Sequence, residues 1–248
     1  MKKFCPFSKT YILRALEKDY TGKECQKICY AKVFASNVAY YFQVPVCMIS
    51  VLLCKIPIID QIFETISRCW SRGVFGFFMR NVYWRSKLKK IGQDVFIDQG
   101  VTIFGAKNVE LGDDVHIDVN CCFICATGKI KIGSYVHIAG EVIINGKPFV
   151  IIGNHAAIAA NAKIYGSTTV PTAPSMSAMS PNNMTKIVET GIIIGDYALI
   201  GLNTVVLPGA KLNNYSCVGA NSLVDREIPE MTIAIGNPAK VVKKRELK

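Results

Sequence analysis

Residues 111–138 read LGDDVHIDVNCCFICATGKIKIGSYVHI, and their spacing decides the fold. Leu111, Ile117 and Phe123 stand six apart, and Ile132, Ile138 and Ile144 resume the step one cycle later. Outward from this stretch the step recurs in Ile91–Ile97–Ile103, Ile152–Ile158–Ile164, Ile194–Ile200–Val206 and Leu212–Val218–Val224. Glycine follows the first member in five triplets (Gly92, Gly112, Gly133, Gly153, Gly195), and Asn213 follows it in the sixth. No helical period and no globular β-sandwich keeps a six-residue step in register eighteen times.

Three hexads make one turn of a triangular coil, each hexad a short strand and a corner. The periodic aliphatic points inward. So does the small or β-branched residue two before it in the second hexad: Val95, Val115, Val136, Ala156, Ala198 and Ser216. Gly, Asn and Asp gather at the corners, where the backbone turns tightly. Stacked coils then pair strand upon strand at about 4.8 Å. Coils start at 91, 111, 132, 152, 194 and 212, so one of them carries an excursion, residues 170–193, with Pro171, Pro174 and Pro181. A loop of this length in a repeat array reads as functional.

The chain has 248 residues, half of them apolar, enough for a sizeable core and too hydrophobic for a disordered protein. Net charge is +11, and its location matters more than its size. Residues 1–90 hold 16 Lys+Arg against 5 Asp+Glu, whereas residues 91–248 hold 13 against 13. Two regions follow: a basic, hydrophobic, helical part (1–90), membrane-peripheral or capping, and a neutral solenoid (91–248) closed by residues 225–248. Only the first should seek an anionic surface. Residues 33–54 carry no charge, but positive flanks on both sides favour an in-plane segment over a span. Val74–Lys90 reads as a basic amphipathic helix with Arg80, Lys87 and Lys90 in one sector, suited to a lipid surface or to capping the first coil. Nucleic acid is disfavoured, because no recognition motif is present and the aromatics sit in apolar runs.

Ten cysteines do not make a disulfide framework here. Cys121, Cys122 and Cys125 are too crowded, and no secretory signal is recognised, which points to buried thiols in a reducing cytosol. Cys25 and Cys29 lack a second ligand pair, so no metal is expected.

The hexads, together with the closing segment LVDREIPEMTIAIGNPAKVVKKREL (Leu223–Leu247), resemble the hexapeptide-repeat acyltransferases. The nearest branches are the maltose and galactoside acetyltransferases and the polysaccharide O-acetyltransferases. The resemblance spans about residues 73–248. It implies an all-β, left-handed parallel β-helix, an acetyl-CoA donor and a homotrimer with coenzyme lodged between subunits.

Acetyl transfer from a thioester needs a proton acceptor, and histidine serves best near neutral pH. The three histidines are His116, His137 and His155. His116 and His137 each precede a second-hexad aliphatic, so they should stack at one edge of adjacent coils, while His155 falls at a surface corner. Asp118, two residues past His116, is placed to orient His137 through Nδ1 or to stabilise its charged form. GSYVHIAGEVII (Gly133–Ile144) and IDVNCCFI (Ile117–Ile124) resemble stretches of the polysaccharide branch whose residues line the acceptor site. The resemblance implies His137 as base, Asp118 as its partner, and His116 and Asn120 toward the acceptor. In the maltose and galactoside branch the base follows a stretch matching IYGSTT, where this chain has Thr169. For the coenzyme the resemblance implies Ala220, Arg226, Lys240 and Lys243.

The expected activity is acetyl-CoA-dependent O-acetylation of a surface polysaccharide or lipid-linked glycan precursor, on the inner face of the membrane. Two alternatives stand beside it: N-acetylation of a nucleotide-linked amino sugar, and a metal-binding solenoid of the γ-carbonic anhydrase type, which needs a third converging ligand.

Overall fold

The computed structural model describes residues 42, 44–50, 52–54, 56–69, 74–177, 179–181 and 184–247. The Cys25–Cys29 pair and residues 33–41 lie outside them. Beyond a helical stretch at residues 44–50, two helices, α1 (Pro57–Cys69) and α2 (Val74–Lys87), lead into a parallel β-solenoid.

The solenoid has three faces, sheets of eight, six and six strands. The first face runs Phe96–Ile97, His116–Ile117, His137–Ile138, Ala157–Ile158, Leu199–Ile200, Cys217–Val218, Thr232–Ile235 and Lys240–Lys244. Neighbouring strands are parallel except for the last pair. The hexad aliphatics stack as three inner columns: Ile97, Ile117, Ile138, Ile158, Ile200 and Val218 on the first face, all 0–1% exposed, with Phe123 and Ile144 on the second and Leu111 and Ile132 on the third. Each buried side chain of this kind contributes about 1.5–3 kcal/mol, and the residues two before them on the first face, Val95 to Ser216, are buried too.

The corners are held by side-chain ladders. Asp113, Ser134, Asn154, Asp196 and Asn214 each accept a hydrogen bond from a backbone N–H one coil earlier, at 2.6–3.0 Å. This explains the polar residue two positions past each coil start from Leu111 onward. One residue further on, Tyr135, His155, Tyr197 and Tyr215 take left-handed φ values of 56–59°. Their rings stack in one pile, with centroids 4.6–4.8 Å apart and planes within 5°. His155 is thus a ring in an exterior pile at the corner where the spacing puts it.

A first coil has no coil beneath it, so the carbonyls of its first-face strand lack sheet partners. α2 supplies the donors. Arg80 Nε donates to Ile97 O (2.7 Å), Asn81 Nδ2 to Val95 O (2.6 Å), and Arg85 Nη2 to Gly92 O (2.6 Å). Arg80 is 1% exposed and lies 3.9 Å from Asp98. Lys87 pairs with Asp60 of α1. The expected basic sector of Val74–Lys90 is therefore not a free surface: two of its three cations are spent inside the fold, and α2 is a cap.

α1 packs Phe63 toward the core, against Tyr83, but carries a second apolar face outward. Asp60 faces α2, whereas Ile58, Ile62 and Ile66 are 72%, 55% and 37% exposed. The excursion also differs from its expected bounds. It is a hairpin pairing Ser167–Thr169 with Ile187–Glu189, and the coil resumes at buried Ile192 rather than after residue 193.

Candidate active site

The six-residue period brings His116 and His137 into register on adjacent first-face strands. Their aliphatic neighbours Ile117 and Ile138 are locked in the core, so both imidazoles must stand on the outer side. The ring centroids are 5.4 Å apart. Asp118, on the same side two residues past His116, reaches both. Its Oδ1 lies 3.2 Å from His116 Nε2 and its Oδ2 lies 3.2 Å from His137 Nε2. The carboxylate thus engages Nε2 of His137, not the Nδ1 expected from the sequence. A carboxylate only accepts, so a hydrogen bond between the two requires the tautomer with the hydrogen on His137 Nε2, in which Nδ1 is the proton-accepting nitrogen. The His137 side chain is half exposed.

One side of this pair is walled by aromatics that the sequence reading missed. Phe96 is the register partner of His116, with ring centroids 5.7 Å apart. Phe77 of α2 meets both rings edge-on, 5.6 Å from Phe96 and 6.4 Å from His116. The signal for Phe96 was present, since it takes the histidine position one coil earlier. No spacing could announce Phe77, because it comes from the cap.

On the other side, register continues the His137 position through Ala157, Leu199, Cys217 and Ile233 to Lys243. Five strand spacings, about 24 Å, separate His137 from Lys243. The residues between are small or apolar and partly exposed. Lys240 stands on the same edge strand as Lys243. Ala220 is exposed at the corner past Cys217–Val218. Arg226 is also exposed but is bound to Asp225 through two contacts of 2.7 and 3.0 Å. Asn120 takes a left-handed φ of 59° at its corner, and its side chain fills the space that a Cβ on Gly100 would need. The structure thus unites His116, His137 and Asp118, sets Lys243 on their column, and spreads Asn120, Ala220 and Arg226 along corners.

Thiols beside the site are inert. Burial pushes the Cys121 thiol up to about 12, and its Sγ donates to Ala139 O. Cys122 is raised by the same cause. Neither supplies a thiolate nucleophile near neutral pH.

No family model matches the chain. A dTDP-4-amino-4,6-dideoxy-D-glucose acyltransferase of Escherichia coli is 33% identical over 161 residues, 64% of this chain and 84% of the relative. A putative lipopolysaccharide biosynthesis O-acetyl transferase, WbbJ of E. coli K12, is 32% identical over 57% of this chain, and the match spans only 60% of that relative. Among solved structures, a mutant of AntD, an N-acyltransferase from Bacillus cereus, in complex with dTDP-4-amino-4,6-dideoxyglucose and coenzyme A, shares the fold. Its TM-score is 0.62 at 24% identity, over 65% of this chain and 86% of that one. With a hexad solenoid, an imidazole pair on its edge and a relative matched along most of its length, the chain belongs to the hexapeptide-repeat acyltransferases.

Proposed function

We propose that this acyltransferase moves an acetyl group from acetyl-CoA to a hydroxyl of a surface-polysaccharide or lipid-linked glycan precursor. We read it as a homotrimer, peripheral on the cytoplasmic face of an anionic membrane. The observation that carries the chemistry is the Asp118 carboxylate shared by two imidazoles, which leaves His137 Nδ1 open as a base.

The acceptor O–H gives its proton to His137 Nδ1 as the oxygen attacks the thioester carbonyl carbon. The imidazolium formed is stabilised by Asp118. When the C–S bond breaks, that proton passes to the departing CoA sulfur, and the base is regenerated. The coenzyme arm lies along the column from His137 to Lys243, with Lys243, Lys240 and Arg226 toward its phosphates and Ala220 leaving room at the corner. In the trimer a second protomer covers this column. The acceptor then approaches from the opposite end, against Phe96 and Phe77, with Asn120 at the neighbouring corner.

Membrane placement rests on charge and exposed apolar area. The net excess of 11 positive charges lies in residues 1–90, and α1 turns Ile58, Ile62 and Ile66 to solvent. Among the described residues no helix is long and apolar enough to cross a membrane, which suits a helix lying in the interface.

A second reading is N-acylation of a nucleotide-linked amino sugar, favoured by the relative matched over 84% of its length, which bears an amino-sugar name. Incubating the protein and acetyl-CoA with a lipid-linked glycan or with a dTDP-amino sugar, followed by mass spectrometry, separates the two. An alkali-labile acetyl ester on the glycan is the expected product. An alkali-stable amide on the nucleotide sugar alone would replace the first reading with the second.

A further inference from the structure

We propose that His116, Asp118 and His137 also bind a divalent transition-metal ion, zinc or one of like ligand preference, and that its binding switches off the base. The ligand atoms of the three side chains lie within 4.8 Å of one another. Both Nε2 atoms sit 3.2 Å from the carboxylate between them. A tetrahedral zinc with bonds of about 2.0–2.1 Å holds neighbouring ligand atoms about 3.3 Å apart; His116 Nε2 stands at that spacing from Oδ1 and His137 Nε2 from Oδ2, so a small turn of the Asp118 carboxylate brings one of its oxygens to both nitrogens. Two imidazoles and a carboxylate suit zinc, cobalt or nickel and not magnesium or calcium, which prefer all-oxygen shells.

The site is preorganised. The histidines are register partners on strands whose next residues, Ile117 and Ile138, are fully buried. Phe96 and Phe77 hold the His116 ring from the side. All three ligands come from one chain. The His137 side chain is half exposed and offers an ion its way in, while His116 Nε2 is itself shielded from solvent.

Inhibition follows from the tautomer. A neutral imidazole has one N–H, so a metal on Nε2 forces that hydrogen onto Nδ1. Nδ1 then has no lone pair for the acceptor's proton. The inhibitory consequence rests on His137 being the base, whereas metal binding does not.

The test uses the purified full chain, stripped with EDTA and dialysed, then titrated with cobalt(II) chloride and with zinc chloride. One cobalt per chain with visible d–d bands, displaced by zinc, is expected. His116→Gln, Asp118→Asn and His137→Gln, each checked for native circular dichroism, should weaken cobalt binding by more than the roughly 10–100-fold that loss of an outer partner costs. His155→Ala should leave it unchanged. No cobalt spectrum at millimolar metal, binding that survives all three site variants, loss of binding in His155→Ala, or a thiolate charge-transfer band would overturn the site. Zinc should abolish acetyl transfer at the concentrations that fill the site, and EDTA should restore it. Metal-stripped protein that is inactive and is activated by zinc would retain the site but overturn both the inhibition and His137 as a metal-free base.

Discussion

His137 and Lys243 occupy one side-chain column on the outer side of a single sheet, five strands apart. A proton acceptor and a phosphate-binding cation are thereby set about 24 Å from each other on a rigid ladder. Lys243→Ala is expected to raise KM for acetyl-CoA about tenfold, roughly 1.4 kcal/mol, and to leave kcat nearly unchanged. Steady-state kinetics at varied acetyl-CoA check this, and an equal fall in kcat would remove Lys243 from coenzyme binding.

His137→Ala should lower kcat by about two to four orders of magnitude while the solenoid stays folded, since the side chain is half exposed. Asp118→Asn should cost less, because the imidazole remains but loses its anionic partner. Single-turnover rates with matched circular dichroism read both effects. Full activity in His137→Ala would move the base elsewhere.

The outward isoleucines of α1 should matter for lipid and not for folding. Replacing Ile58, Ile62 and Ile66 together by Ser is expected to reduce flotation with vesicles containing anionic lipid and to leave thermal stability unchanged or higher. Undiminished flotation would mean that another surface of the protein meets the membrane.

Tyr197 stacks between His155 and Tyr215, so it has two ring partners. Tyr197→Ala should destabilise the solenoid by about 1–3 kcal/mol, since each aromatic contact contributes roughly 0.5–1.5 kcal/mol. Denaturant unfolding measures this, and Tyr197→Phe should avoid most of the loss because the stacked ring is kept.

Glu110 joins the start of the solenoid to Lys89 and Lys129. Its hydrogen bond with Lys89, helped by the charge of Lys129, holds its carboxyl below the ordinary range. A carboxyl depressed in the folded state stabilises above its unfolded pKa, and that contribution is lost as pH falls through its folded value. Melting temperatures from pH 7 to pH 3 should therefore drop less steeply in Glu110→Gln than in the native protein. Parallel curves would show that this ion pair adds nothing to acid stability.

Much of the fold was legible because a triangular coil writes itself into the chain. Ile97, Ile117 and Ile138 each stand six residues past a coil start and must share one inner column, which forces Phe96, His116 and His137 onto one outer column. The same arithmetic would have revealed the Tyr135–His155–Tyr197–Tyr215 pile, three residues past each coil start, had the corners been read as closely as the strands. Arg80 was misread because its charge alone suggested solvent, whereas the unpaired carbonyls of the first coil needed a donor.

Local repetition therefore determined the solenoid, its core and the adjacency of the two imidazoles, since each follows from residues whose relative positions are set by chain spacing. Which imidazole nitrogen meets Asp118, which ring from α2 lies against His116 and which helix turns its apolar face outward were decided only in three dimensions. These depend on side-chain torsions and on the docking of a non-repeating helix onto the end of the coil, and no periodicity encodes either.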